Sequence, residues 1–183
     1  RKLSEKQHQE LVDAYLALLA QHGEGVTFVA DKFPTNFFHI GLIAALFPQS
    51  TIFHCERDPR DIALSNFFQN YADGNFFSWT LDDIAHFYVQ YERLMLHWKQ
   101  IGLSNLVTIS YHDMVNNFDS VCRSLIGRLQ LDWEDACLKY FETERDVRTA
   151  SNWQVRQPIF KSSINRWRNY PELTEKFVLE LAV

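Results

Sequence analysis

The 183-residue sequence contains little glycine, proline and cysteine, with six, five and three residues respectively. This composition excludes collagen-like chains, disordered linkers and disulfide frameworks, and three cysteines without metal-binding spacing favour reduced thiols in the cytoplasm. The longest apolar run covers eight residues, from 40 to 47, whereas a membrane-spanning helix needs about 20. We therefore expect a protein with neither a membrane span nor a metal site.

Apolar residues make up 46% of the sequence and charged residues 22%, which is enough for a core of ordinary size. The net charge of −5 argues against a nucleic-acid partner. Charge is nevertheless uneven, because six basic side chains and one acidic side chain lie between residues 145 and 168. This segment is either a solvated basic loop or a site for a small polyanion.

Short apolar runs alternate with helical patterns along the chain. The runs 26–30, 51–56 and 106–110 are rich in β-branched and aromatic residues and predict buried strands. Apolar residues that recur every three or four positions predict helices over residues 3–21, 37–47, 81–101, 117–129 and 133–141. The alternation predicts an α/β fold, in which helices flank a central parallel sheet.

A helix start signal follows the second predicted strand. Asp58 is suited to cap the helix and Pro59 to occupy its first position. Asp61 stands three residues beyond the cap, where a carboxylate favours the positive end of the helix. Arg57 therefore lies at the junction of a strand and a helix N-terminus.

A polar residue follows each predicted strand, namely Lys32, Arg57 and Tyr111. Ligands of parallel sheets bind beyond the carboxyl ends of the strands. Ser65 follows Arg57 by eight residues, so its hydroxyl and the guanidinium are spaced to hold one phosphate. The alternatives are a hydroxyl of Ser65 bonded to its own helix, and ion pairs of Arg57 with Asp58 or Asp61 and of Lys32 with Asp31.

Several segments stand in a distinctive order: residues 31–37 (DKFPTNF), 41–43 (GLI), 47–48 (FP), 57–61 (RDPRD) with Ser65, 110–113 (SYHD), 148–158 and 166–167. Together they resemble the sulfotransferases, most strongly the tetratricopeptide-repeat-linked bacterial enzymes and more distantly the tyrosylprotein sulfotransferases. These enzymes move a sulfuryl group from 3′-phosphoadenosine 5′-phosphosulfate (PAPS) to an acceptor and release 3′-phosphoadenosine 5′-phosphate (PAP). The resemblance implies a P-loop-nucleotide-kinase-like fold and a hydroxyl acceptor.

The resemblance implies that four residues bind the nucleotide. Arg57 and Ser65 match the pair that binds the 3′-phosphate, which agrees with their spacing. Tyr111 is similar to the tyrosine beside the adenine. Arg166 stands where a related enzyme places a cofactor-binding lysine, which would give the basic segment a ligand.

The resemblance also implies two catalytic residues. Lys32 matches the lysine that stabilises charge on the departing bridge oxygen, and Ser151 resembles a serine near the transferring group. A fixed ammonium group at that oxygen lowers the barrier selectively, because negative charge grows there during transfer.

Two parts of the family pattern are missing from the sequence. The first is the phosphosulfate loop that follows the family's first strand. The second is a general base, because Pro34 stands where cytosolic sulfotransferases have a histidine, and His39 and His54 fit core positions better. Gln69 replaces an arginine of the tyrosylprotein relatives. We expect the missing parts to precede Arg1, so residues 1–183 are the C-terminal two-thirds of one sulfotransferase domain, inactive alone.

Two other interpretations stay open. A non-catalytic domain that binds PAP or PAPS fits the missing loop and base. A helical interaction module would use the apolar stripe of residues 81–101 to meet a partner. A tetratricopeptide-repeat region in the same parent chain is a further expectation from the resemblance.

Overall fold

The computed structural model describes residues 3–21, 23, 25–71, 74–143 and 153–181. Its strands and α-helices are, in chain order, α1 (Glu5–Ala20), α2 (Ile40–Leu46), β1 (Ile52–Glu56), α3 (Pro59–Phe67), α4 (Leu81–Ile101), β2 (Leu106–Ser110), α5 (Tyr111–Asn116), α6 (Phe118–Arg128) and α7 (Pro171–Leu181). Short 3-10 helices lie at Pro34–His39, Phe76–Ser78, Asp135–Glu142, Gln154–Arg156 and Arg166–Asn169. The protein is therefore mixed α/β and rich in helix, as the sequence predicts.

The second and third predicted strands form β1 and β2, which pair in a small parallel sheet. The prediction of the first strand is wrong, because residues 26–30 form neither a strand nor a helix. Their apolar side chains are exposed, and Phe28 keeps 59% of its accessible surface. Strand-forming residues pair only when a neighbouring backbone supplies hydrogen bonds, and the described part of the chain has no strand beside this run.

The chain divides into two compact units, and it passes between them within β1, α4 and β2. The first unit holds the residues up to Ile52 together with Tyr91–Val107. The second holds Phe53–Gln90 and the residues from Thr108 onward. Each unit has its own set of packing contacts.

In the first unit, aromatic side chains join α1, α2 and the second half of α4. The Tyr15 and Phe47 rings lie 5.3 Å apart, and the indole N–H of Trp98 donates to the Phe37 carbonyl at 2.9 Å. A Cβ at Gly41 would lie 2.6 Å from the Trp98 ring, a separation that real contacts do not show. Glycine at position 41 therefore lets α2 approach α4.

In the second unit, the first half of α4 packs against α3 and α7. The buried cluster consists of Ala63, Leu81, Ile84, Ala85 and Phe177, and Phe177 is fully buried. Thr80 caps α4, because its hydroxyl accepts from the Asp83 N–H at 3.0 Å and donates to the Asp83 carboxylate at 2.6 Å.

The apolar stripe of α4 is used inside the fold. Leu81, Ile84 and Met95 are all buried, which argues against a helical interaction module that presents this stripe to a partner. None of the helices that the structure describes is long and apolar enough to cross a lipid bilayer.

Candidate active site

Within the second unit, a cleft of about 330 Å³ opens where β1 runs into α3 and β2 runs into α5. It is lined by Glu56, Arg57, Asp58, Asp61, Ser110, Tyr111, His112, Ile164 and Asn165. The cleft lies at the carboxyl ends of two parallel strands, where α/β proteins bind ligands. Its volume is in the range of small-molecule sites.

Arg57 is held by contacts on two sides. One Nη2 hydrogen bond goes to the Ser163 carbonyl at 2.6 Å, and the guanidinium carbon lies 4.9 Å from the centroid of the Tyr111 ring. The Nε–H is buried without a hydrogen-bond partner among the described residues. A buried donor without a partner costs free energy, so an anionic acceptor that reached this N–H would remove that cost.

The nearby acids have partners other than Arg57. Asp58 accepts from the Arg60 guanidinium at 2.6 Å and from the Arg60 backbone N–H at 2.9 Å. The hydrogen bond from the Arg60 side chain lowers the pKa of Asp58. The alternative of an ion pair between Arg57 and Asp58 is therefore wrong, because Arg60 takes that place.

Asp61 is buried, with 3% of its surface exposed. Its two carboxylate oxygens accept from the backbone N–H of Asn165 at 2.8 Å and of Trp167 at 3.0 Å. Sequence reasoning gave Asp61 a place at the helix N-terminus and missed these contacts, because their partners lie more than 100 residues away. Asp61 thus joins α3 to the basic segment.

Ser65 lies on α3, beyond the cleft. Its side chain is exposed and makes no hydrogen bond with a described residue, so the alternative of a hydroxyl bonded to its own helix is wrong. Asp61 and Phe68 stand four residues before and three residues after Ser65, on the same side of the helix. Both contact residues 165–170, so Ser65 stands on the side of α3 that faces this segment, with its own side chain exposed.

The Arg166 side chain lies against the same side of α3. Its guanidinium carbon lies 5.4 Å from the centroid of the Phe68 ring, and the Phe68 ring contacts Tyr170 at 5.0 Å. The Trp167 ring lies 3.7 Å from the Arg60 guanidinium carbon. Residues 163–170, the end of the basic segment and the two residues after it, are therefore packed against Arg57 and α3.

Histidine and metal chemistry have little support in the described residues. His54 is buried, as expected for a core position, whereas His39 is exposed at the end of a 3-10 helix. No group of three or more histidine, cysteine, aspartate or glutamate side chains in the described residues is arranged to hold a metal ion.

Comparison with known proteins decides the family. Residues 3–135 match the family model described as "Sulfotransferase family". The chain belongs to the sulfotransferase family. The matched part of the chain includes Lys32, Arg57, Ser65 and Tyr111, and it ends before Ser151 and Arg166.

A relative from Aquifex aeolicus (strain VF5), named "Uncharacterized protein", is 36% identical over 145 residues. The aligned residues make up 78% of this chain and 19% of the relative. The chain therefore spans about a fifth of the length of this relative.

Of the two catalytic residues expected from the resemblance, the structure describes one. Lys32 belongs to the first unit and is exposed. The expected alternative, a pair with Asp31, is wrong, because the Asp31 carboxylate accepts from the Tyr15 hydroxyl at 2.5 Å and Lys32 has no ion pair with a described residue. Ser151 lies outside the described residues, as does Arg148.

The structure thus brings Arg57 and Tyr111 together, and Arg57 is bonded to the turn that precedes Arg166. The site residue that sequence reasoning missed is Asp61. A carboxylate three residues after a helix cap is common in helices. The sequence alone therefore does not show that this carboxylate binds a distant turn.

Proposed function

We propose that this chain is the nucleotide-binding part of a sulfotransferase that moves a sulfuryl group from PAPS to a hydroxyl acceptor. The observation that carries the proposal is the state of Arg57, whose guanidinium lines a cleft at the carboxyl ends of two strands and whose Nε–H is buried without a partner among the described residues. Membership in the sulfotransferase family supports the choice of ligand.

The residues of the cleft fit one phosphate and a flat ring. Arg57 offers charged donors to a phosphate, and the exposed Ser65 hydroxyl and Arg166 lie on the adjoining side of α3. Tyr111 lines the same cleft, and its aromatic ring is of the kind that stacks on an adenine ring. Asp58 does not repel the anion strongly, because Arg60 neutralises it.

When bound, PAPS supplies the sulfuryl group. In this proposal Arg57, Ser65 and Arg166 hold the 3′-phosphate end, and Tyr111 orients the base. Lys32 stabilises negative charge that develops on the leaving oxygen, and Ser151 contacts the transferring group. The acceptor hydroxyl donates its proton to a base that the described residues do not identify.

Binding of PAP to the chain, measured by titration calorimetry, tests the nucleotide site. We expect binding that Arg57→Ala weakens by roughly a hundredfold, as the loss of a charged hydrogen-bonding partner predicts. Arg123→Ala is the matched control, because Arg123 lies on α6 and pairs with Asp119 at 2.7 Å. Absence of PAP binding by the unmodified chain would contradict the proposal.

A second candidate is a non-catalytic domain that binds PAP or PAPS, because the Arg57 cleft would serve binding without transfer equally well. Transfer of labelled sulfate from PAPS by the full-length gene product separates the two candidates. Transfer that Lys32→Ala reduces supports the enzyme. PAP binding without any transfer supports the binding domain. The cytoplasmic location and the attached repeat region stay predictions.

A further inference from the structure

The turn at residues 163–167 has a backbone conformation that needs support. Asn165 has a φ of +56°, in the left-handed region, which asparagine tolerates better than most residues and β-branched residues avoid. Such a residue persists when its surroundings hold it in place. The 3-10 helix Arg166–Asn169 begins directly after it.

Asp61 supplies that support from α3. The N–H groups of Asn165 and Trp167, on either side of Arg166, point to the two oxygens of one buried carboxylate. Successive N–H groups that converge in this way form a concave anion site. Here the anion is a side chain of the protein, which leaves this site filled and fixes the turn on the helix.

The 163–167 turn positions two cations that the proposed function uses, Arg57 and Arg166. The Ser163 carbonyl, two residues before Asn165, accepts the hydrogen bond from Arg57. Arg166, between the two N–H groups that Asp61 binds, lies over Phe68. A shift of the turn would therefore release the orientation of Arg57 and move Arg166 away from the Ser65 side of α3.

We propose that Asp61 is a positioning residue for nucleotide binding: its carboxylate holds the 163–167 turn so that Arg57 and Arg166 are pre-oriented for the phosphate. The inference rests on the proposed function, because it takes the nucleotide as the ligand. Asp61 acts through the turn and does not itself contact the nucleotide. Pre-orientation raises affinity because the ordering cost is met before binding.

The first test is PAP affinity by titration calorimetry, with Asp61→Asn as the variant. Asparagine keeps one acceptor oxygen and turns an NH₂ donor toward the second N–H, so one of the two bonds is lost. We expect PAP to bind about tenfold more weakly. The matched control is Asp82→Asn, which removes an exposed carboxylate at the start of α4, paired with Lys176 at 2.8 Å. We expect no change in this control.

A second pair of variants tests the turn at Asn165 and leaves the buried carboxylate unaltered, in case Asp61→Asn does not fold. Asn165→Val should weaken PAP binding, because a β-branched residue disfavours a φ of +56°. Asn165→Gly removes the same side chain and keeps that conformation accessible. It should weaken binding less than valine does. Equal losses for valine and glycine would overturn the inference.

Amide hydrogen exchange separates this inference from the proposed function. The Asn165 and Trp167 amides should be protected in the unmodified chain and lose protection in Asp61→Asn, while amides of the α4–α7 core keep theirs. Protection that survives in Asp61→Asn, or equal PAP affinity in the two proteins, would overturn the inference alone. Failure of the unmodified chain to bind PAP would overturn the proposed function and the ligand assigned here.

Discussion

Arg57 and Lys32 both follow an apolar run that the sequence predicts as a strand, yet the two cations have different surroundings. The run before Arg57 is β1, and contacts from the Ser163 carbonyl and the Tyr111 ring hold the guanidinium. The run before Lys32 is irregular and exposed, and so is Lys32. A strand that pairs in a sheet fixes the residue at its end, whereas an unpaired run does not.

The two regions also differ in what lies beneath them. The α3 helix after Arg57 packs with its Ala63 and Leu64 side chains almost fully buried. The run at residues 26–30 exposes three of its large apolar side chains, Val26, Phe28 and Val29. Burial of apolar surface is the main source of stability, so we expect mutations in the two regions to differ in cost.

The largest expected effect concerns this difference in packing. Phe177→Ala should lower the free energy of unfolding by about 3–5 kcal/mol, because it empties the core on which α3 and α4 pack. Phe28→Ala removes an equal side chain that is 59% exposed and should cost under about 0.5 kcal/mol. Urea denaturation measures both, and equal costs would remove the contrast between the regions.

The next effect tests how Arg57 is held. Arg57→Lys should weaken PAP binding by roughly tenfold, because one ammonium group cannot keep the Ser163 bond and offer planar donors to a phosphate. Arg123→Lys on α6 is the control, with an exposed pair to Asp119, and should bind PAP as the unmodified chain does. If calorimetry finds that Arg57→Lys binds PAP as tightly as the unmodified chain, the fixed guanidinium geometry does not contribute to PAP binding.

The smallest effect concerns the hydrogen bond beside Lys32. The Tyr15 hydroxyl donates to Asp31, and this bond raises the pKa of Tyr15 from 10.0 to about 12. The neutral phenol is favoured in the folded state, so the stability it adds is complete below pH 10 and is lost between pH 10 and about 12.

Tyr15→Phe should therefore lower the free energy of unfolding by no more than about 1 kcal/mol at neutral pH, since solvent screens both groups. The difference between the two proteins should shrink above pH 10. Denaturation series at pH 7 and pH 11 measure it. A difference that grows with pH would contradict the assignment of the proton to Tyr15.

The local parts of the site follow from sequence patterns. The cap of α3 by Asp58 is confirmed by its hydrogen bond from the Arg60 N–H, and β1 and β2 occur where apolar runs predict them. These features depend on neighbours within a few residues. Local rules therefore place Arg57 and Tyr111 at strand ends without any knowledge of the rest of the chain.

The remaining parts depend on partners that sequence patterns do not identify. The run at 26–30 has strand-forming residues, but pairing also requires a neighbouring backbone. The link from Asp61 to Asn165 joins residues more than 100 positions apart, and no local rule selects that turn over any other loop. The roles of Ser151 and Lys32 stay predictions from the family resemblance.

The most direct test of the nucleotide site is the NMR signal of the Arg57 Nε–H during titration with PAP. Among the described residues this N–H is buried without a partner, and in the proposed complex the phosphate becomes its hydrogen-bond acceptor. We predict a downfield proton shift that saturates with PAP and does not appear with adenosine, which lacks the phosphates. An Arg57 Nε–H signal that is unchanged at saturating PAP would contradict the account.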